Sequence, residues 1–151
     1  MRLGIISDTH GTITSRALQA LQNADHILHA GDITTPEVIR ALETIAPVTA
    51  IRGNMDHSQW GRNLPVTDML EFNGVYFYML HNLHALDIDP KAAGVQVVIS
   101  GHTHQSDIRT IDGVLYFNPG SASHGRHGNS ESVGQIELNN GRIVPGIITL
   151  G

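Results

Sequence analysis

The stretch Leu3-Gly4-Ile5-Ile6-Ser7-Asp8-Thr9-His10-Gly11 decides how the rest of the chain is read. Leu3–Ser7 is a short apolar run bounded by charge and turn residues, which predicts a buried strand. Asp8 to Thr12 follows at once as a turn-rich loop, so a carboxylate and an imidazole stand at the strand's carboxyl end. The pattern then recurs. Ala17, Leu18, Leu21 and Ala24 repeat at helical spacing. His26–Ala30 reads as a second strand and Gly31–Thr35 as a second loop. Thr35-Pro36-Glu37 supplies an N-cap, a proline at the first helical position and an acid in the first turn. Val38, Ile39, Leu42 and Ile45 form that helix's apolar stripe, and Val48–Ile51 is a third strand, ending at Gly53.

The second half changes character. Val66–Phe72 and Val75–Leu80 flank Asn73-Gly74, the strongest short hairpin signal. One helical turn is expected at Asp89–Ala93, and Val95–Ser100 is another buried strand. Hairpins turn again at Asp112-Gly113 and at Asn139-Asn140-Gly141, the last pairing Ser132–Leu138 with Arg142–Leu150. The chain thus runs βαβαβ and then becomes mostly antiparallel strand, an order that two packed sheets with flanking helices satisfy best. With 151 residues, no linker and no internal repeat, residues 1–151 read as a single domain. Gly120–Ser130 is the one low-complexity patch.

Composition narrows the function. Nine Lys and Arg against 14 Asp and Glu give a formal net charge of −5 at pH 7. That balance argues against nucleic-acid and anionic-membrane partners, which both need a basic footprint. The absence of cysteine excludes disulfides, thiolate catalysis and Cys-ligated metal. No stretch approaches the ~20 apolar residues of a membrane span, and MRLGIISDTHG has no apolar segment of signal length. A soluble, cytoplasmic protein is expected. Histidine is the anomaly: ten residues, more than Lys and Arg together. Neutral imidazole is the commonest metal ligand and the usual proton shuttle near pH 7.

Position gives that excess its meaning. The first strand ends in Asp8 and His10, the second in Asp32, and the third in Asn54 and Asp56. His81 follows Leu80, while His102 and His104 follow Ser100. Ligands of open α/β sheets bind outside the carboxyl ends of the strands, so these loops should converge on one crevice. Gly11, Gly31, Gly53 and Gly101 stand beside them and permit close backbone approach. A lone Asp after a strand is often only a turn former; recurrence at successive strand ends is what carries weight. Asp8, His10, Asp32, Asn54, His81, His102 and His104 suit two divalent ions sharing a bridging carboxylate. With the two carboxylates and a hydroxide, such a centre keeps a net charge of about +1, which attracts a phosphate. Mixed nitrogen and oxygen ligands fit manganese first, with iron, zinc, cobalt or nickel as alternatives, over magnesium or calcium.

Ser7-Asp8-Thr9-His10-Gly11, Gly31-Asp32, Gly53-Asn54, His81 and Gly101-His102-Thr103-His104 together resemble the calcineurin-like metallophosphoesterases. His29-Ala30-Gly31-Asp32, Asn54-x-Asp56 and Asn118-Pro119-Gly120-Ser121 narrow the resemblance to the superfamily's small bacterial and archaeal phosphodiesterases. The resemblance covers essentially the whole chain. It implies a four-layer αββα sandwich of two mixed β-sheets flanked by helices, with the dimetal centre at its top. It also implies that Asp8, His10, Asp32 and His104 hold one ion, and Asp32, Asn54, His81 and His102 the other, with Asp32 bridging. A metal-bridging hydroxide would attack phosphorus in line, with Asp32, Asn54 and His102 counted as catalytic. The implied substrate is a small phosphoester, and the implied assembly a homodimer or homotetramer.

Departures from the family pattern shape the remaining expectations. In larger relatives a histidine after Gly-Asn protonates the leaving group; here Met55 stands there and cannot. His57 is a weak substitute, and Asn82 replaces the usual glycine after His81. The loop GSASHGRHGNS offers His124, Arg126 and His127 as substrate-binding residues, with Arg126 able to hold a phosphate through two hydrogen bonds. Asp56 and His29 are expected to support ligands rather than to ligate. His26 and His84 read as surface residues, and Trp60 and Phe72 as packing. Two rivals remain: a phosphomonoesterase, and a catalytically weak protein-interaction scaffold of the same fold. A retromer subunit exemplifies the scaffold, having lost part of the ligand set.

Overall fold

The computed structural model describes residues 1–124 and 130–151. Three parallel strands begin the first sheet: β1 (Arg2–Ile6), β2 (His26–His29) and β3 (Val48–Ala50). Two antiparallel strands complete it, β9 (Ser132–Asn139) and β10 (Arg142–Thr149), in the order β10-β9-β1-β2-β3. The second sheet holds β4 (Thr67–Phe72), β5 (Val75–Leu80), β6 (Val97–Ile99), β7 (Ser106–Ile111) and β8 (Val114–Pro119), in the order β4-β5-β6-β8-β7. Both sheets are mixed, and they stack face to face.

The main core lies between them. Leu3, Ile5, Leu28 and Ile136 meet Phe77, Met79, Ile99 and Phe117 across the sandwich. Phe117 is 1% exposed, and its ring lies so close to residue 134 that only glycine fits opposite. On the outer face of the first sheet pack α1 (Ser15–Ala20), α2 (Pro36–Glu43) and α3 (Gln59–Arg62), through Ala17, Val38, Leu42 and Trp60. The fourth layer is thin. A 3₁₀ turn at Leu83–Ala85 and the turn closed by Ala93 N–H donating to Asp89 C=O carry Leu83, Leu86 and Ile88 over Tyr78, Val98 and Val114.

Local chemistry explains most boundaries. Thr14 Oγ1 accepts from Ala17 N–H and starts α1, and Pro36 opens α2. The three hairpins turn through two residues each, Asn73-Gly74, Asp112-Gly113 and Asn140-Gly141. Each first residue has φ between 50° and 52° and each glycine between 79° and 83°, the left-handed pair that such tight turns need. Pro145 sits in β10, an edge strand, where a missing donor does least harm. α3 was not expected from the sequence: four residues are too few to show periodicity. Its start is set by Ser58, whose Oγ accepts from Gly61 N–H.

Replacing Phe117 with alanine should lower unfolding free energy by about 3–5 kcal/mol, the range for removing a buried ring. Equilibrium denaturation in urea measures it, and a loss below about 1 kcal/mol would contradict the packing described.

Candidate metal centre

The loops that follow β1, β2, β3, β5 and β6 meet at one end of the sandwich, and backbone hydrogen bonds lace them together. Asp8 N–H donates to Gly31 C=O at 3.0 Å, His10 N–H to Asp32 C=O at 3.0 Å, and Gly101 N–H to His81 C=O at 2.9 Å. Asp8, His10, Asp32, His102 and His104 all adopt left-handed backbone, with φ from 50° to 75°. Such conformations cost about 1 kcal/mol or more for residues other than glycine and persist where function fixes them. Glycine is required where loops touch. A Cβ on Gly101 would collide with Ser7 Oγ, and one on Gly53 with Asp32 Oδ1.

Each carboxylate divides its two oxygens. Asp8 is fully buried; its Oδ2 accepts from Ser7 Oγ–H at 2.6 Å and His102 N–H at 3.0 Å. Among the described residues its Oδ1 has no hydrogen-bond partner. Instead it faces three imidazoles, His104 Nε2 at 3.3 Å and His10 and His81 Nε2 at 3.7 Å each. Asp32 Oδ1 accepts from Met55 N–H at 2.8 Å, while Oδ2 faces His81 Nε2 at 3.2 Å and His10 Nε2 at 3.9 Å. His10 and His104 bring their Nε2 atoms to 3.2 Å.

The backbone aims the imidazoles. His81 Nδ1–H donates to Ala30 C=O at 2.7 Å and His104 Nδ1–H to His124 C=O at 2.6 Å, leaving Nε2 of each pointed inward. His81 Nε2 is buried and also lacks a hydrogen bond among the described residues. Two buried, unpartnered groups, a carboxylate oxygen and an imidazole lone pair, make a pocket that suits a cation. Burial disfavours a proton on His81, but Asp32 and Asp8 outweigh it and raise its pKa above the ordinary value. Burial would raise the pKa of Asp32, yet His81, the Met55 N–H and His10 lower it, so it stays ionised. Burial lowers the pKa of His10, with Asp32 and Asp8 offsetting only part.

Among the described residues two sets of donor atoms lie close enough to share an ion: Asp8, His10 and His104, and Asp8, Asp32 and His81. Asp8 is common to both. The other two expected ligands, Asn54 and His102, are beside them, joined by His102 Nδ1–H donating to Asn54 Oδ1 at 3.1 Å. The His102 ring stands 5.2 Å from that of His81. All seven expected ligands therefore gather at one end of the molecule.

Asp56 and His29, expected to support ligands, are both buried beside the cluster. The Asp56 carboxylate accepts from four backbone N–H groups, of Asp32, Ile33, Thr34 and Gly53, at 2.7–3.0 Å. It braces the Asp32 and Asn54 loops together rather than touching a ligand side chain. His29 takes a proton-bearing Nε2 to Thr9 Oγ1 at 3.0 Å, while its Nδ1 accepts from Gly31 N–H. Full burial, aided by His81, lowers its pKa to about 3 despite Asp32.

His124 packs edge-on to His10 at 5.6 Å, beside the centre. Arg126 and His127 lie outside the described residues. His57 and His84 are exposed, and Met55 presents its side chain to solvent while its N–H serves Asp32. Sequence reasoning missed Ser121 and Ser123, whose hydroxyls both donate to Asp8 C=O. It equally missed the carbonyls of Ala30 and His124. A serine pair two residues apart is a faint signal, and a carbonyl has none.

Comparison with known proteins shows the family. Residues 1–141 match the calcineurin-like phosphoesterase superfamily domain, so the chain belongs to that superfamily. A probable metallophosphoesterase of Methanothermobacter thermautotrophicus is 35% identical over 136 residues, covering 80% of this chain and 77% of that protein. The solved structure of an archaeal phosphodiesterase superposes with a TM-score of 0.80 at 25% identity, covering 98% of this chain and 100% of that one. Vps29 of Entamoeba histolytica, crystallised with Zn²⁺, shares the fold at a TM-score of 0.77 and 21% identity over the whole of both chains. Among the described residues no helix is long and apolar enough to cross a membrane.

Because folded His29 stays neutral down to about pH 3 while an unfolded imidazole protonates near 6.5, stability should fall as pH drops below 6.5. His29 alone contributes a slope of about 1.4 kcal/mol per pH unit. Unfolding free energies of the wild type and His29→Asn between pH 7 and 5 read it by difference. Parallel curves would contradict the neutral, buried assignment. Asp56→Ala should cost about 3 kcal/mol or more, since it strands several buried N–H groups; a loss under 1 kcal/mol in the same assay would contradict its bracing role.

Proposed function

We propose that the protein is a two-metal phosphodiesterase. Asp8, His10, Asp32, Asn54, His81, His102 and His104 would hold the ions. The observation that carries this is the pair of buried, unpartnered atoms, Asp8 Oδ1 and His81 Nε2, facing one another across the cluster. Asp32 Oδ2, within reach of both His10 and His81, supports the bridging role for that carboxylate. The donor set is nitrogen and oxygen only, which favours manganese, with iron, zinc, cobalt and nickel behind it. When bound, two such ions neutralise phosphoryl charge and make water acidic enough to deprotonate near neutral pH.

The chain's own contribution is positioning. Ser7 and the His102 N–H fix Asp8, the Met55 N–H fixes Asp32, and the Ala30 and His124 carbonyls hold two imidazoles with Nε2 inward. Asn54 and His102, at the open rim, would meet a phosphoryl oxygen. His124 donates Nδ1–H to Ser123 Oγ at 2.7 Å, which leaves its Nε2 available to substrate at the edge of the centre. Arg126 and His127 belong to the same substrate-binding proposal. No side chain at position 55 can protonate a leaving group. Esters with good leaving groups should therefore be favoured, since a general acid is typically worth ~10²–10⁴-fold. Diester preference is supported by the likeness to the archaeal phosphodiesterase, and a small substrate by the net charge of −5.

With Mn²⁺ added, bis-p-nitrophenyl phosphate should turn over faster than p-nitrophenyl phosphate. Asp32→Ala should lose at least about 100-fold in kcat together with bound metal, more than the loss of a mere supporting residue. Wild-type turnover in Asp32→Ala would overturn the ligand assignment. Faster monoester turnover would favour the phosphomonoesterase, and no turnover of either ester the scaffold.

A further inference from the structure

Beside the centre lies a pocket of about 360 Å³, one wall of which is Asn54, His81 and His102. That volume is within the range of small-molecule sites. Its other walls carry an apolar strip, Val66, Leu80 and Ala85, and two charges, Arg52 and Asp87. Val66, 54% exposed, offers its apolar surface at this wall.

Arg52 is the second observation. Its backbone is held on both sides, by its own N–H donating to Pro65 C=O at 2.7 Å and by Gly53 N–H donating to Asp56. Its side chain is half-buried and has no carboxylate partner among the described residues, whereas Arg2, Arg40 and Arg109 pair with Glu137, Glu37 and Asp107. The five residues outside the description, 125–129, include no acid that could pair with it. A half-buried guanidinium with no counter-ion, two residues from Asn54, is a ready anion site.

Resting on the phosphodiesterase reading, we propose that this pocket binds the second arm of the diester, with Arg52 as its specificity residue. The unanswered positive charge of Arg52 meets a carbonyl or ring-nitrogen acceptor on the arm, a group that inorganic phosphate lacks, and the apolar strip covers one face of the arm. Asp87 accepts from hydroxyl or amino donors and repels a second phosphate. The arm is therefore uncharged, flat or apolar on one side and donor-bearing on the other, as a nucleoside is. A dianionic or polyphosphate arm does not fit.

Metal-loaded protein should be titrated with thymidine 5′-monophosphate and with inorganic phosphate, in the wild type, Arg52→Ala, Arg52→Lys and Ala85→Trp. Ala85 is exposed, so tryptophan there fills the pocket without disturbing the core. The nucleotide should bind the wild type about tenfold more tightly than phosphate, and that advantage should vanish in Arg52→Ala and Ala85→Trp, the scale of one charge-assisted contact. Arg52→Lys should keep part of it. In kinetics, the kcat/KM ratio of thymidine 5′-p-nitrophenyl phosphate to p-nitrophenyl phosphate should fall about tenfold in the same two variants. Equal binding of nucleotide and phosphate by the wild type, or an unchanged advantage in both variants, overturns the pocket. Loss of all turnover while the nucleotide advantage persists overturns the hydrolase instead and leaves the pocket standing.

Discussion

Asp8 has no surface exposed to solvent, and one of its two carboxylate oxygens has no hydrogen-bond partner among the described residues. A buried anion in that condition is expensive unless a cation answers it. Around the free oxygen stand His10, His81 and His104, each with Nε2 within 3.7 Å. The rest of the site follows from satisfying this group. Its other oxygen is tied to Ser7 and the His102 N–H, and its carbonyl to Ser121 and Ser123. Asp8 thereby links loops from both sheets, and the sandwich closes around it.

Asp56 plays the complementary part. Its carboxylate is spent entirely on backbone N–H groups, while Asp8 and Asp32 each keep one oxygen free. A carboxylate fully occupied by the chain is a brace; one half occupied can serve a cation. The same distinction separates His29, whose two nitrogens serve Thr9 and Gly31, from His81 and His104, which spend Nδ1 on a carbonyl and turn Nε2 toward the Asp8 carboxylate. Precise spacing matters because these polar groups are buried, where an error of an ångström strands a charge.

The parallel half was legible because its signals are local. Apolar runs ending in Asp8, Asp32 and Asn54 mark strand ends, and Asn-Gly or Asp-Gly pairs mark the hairpins. The candidate ligands were legible because motif residues recur at those ends. Three things were not. α3 is too short for any period to show. Asp8 as the oxygen common to both donor sets depends on how two sheets approach, which no spacing encodes. The pocket beside Arg52 is made by residues from 52 to 102, so its existence awaited the fold. Met55 shows both sides: its side chain revealed a missing proton donor, whereas the use of its N–H by Asp32 did not appear in the sequence.

The histidines, so numerous for their charge, divide the same way: inward-facing donors, a buried brace, and exposed residues such as His57 and His84. Everything functional rests on the cluster being a cation site rather than a stored strain. The most direct measurement is calorimetric titration of metal-stripped protein with Mn²⁺, followed by thermal unfolding at saturation. Two ions should bind per chain and raise the unfolding temperature, with Asp8→Asn abolishing both effects. No binding, or binding that leaves the unfolding temperature unchanged, would contradict the account.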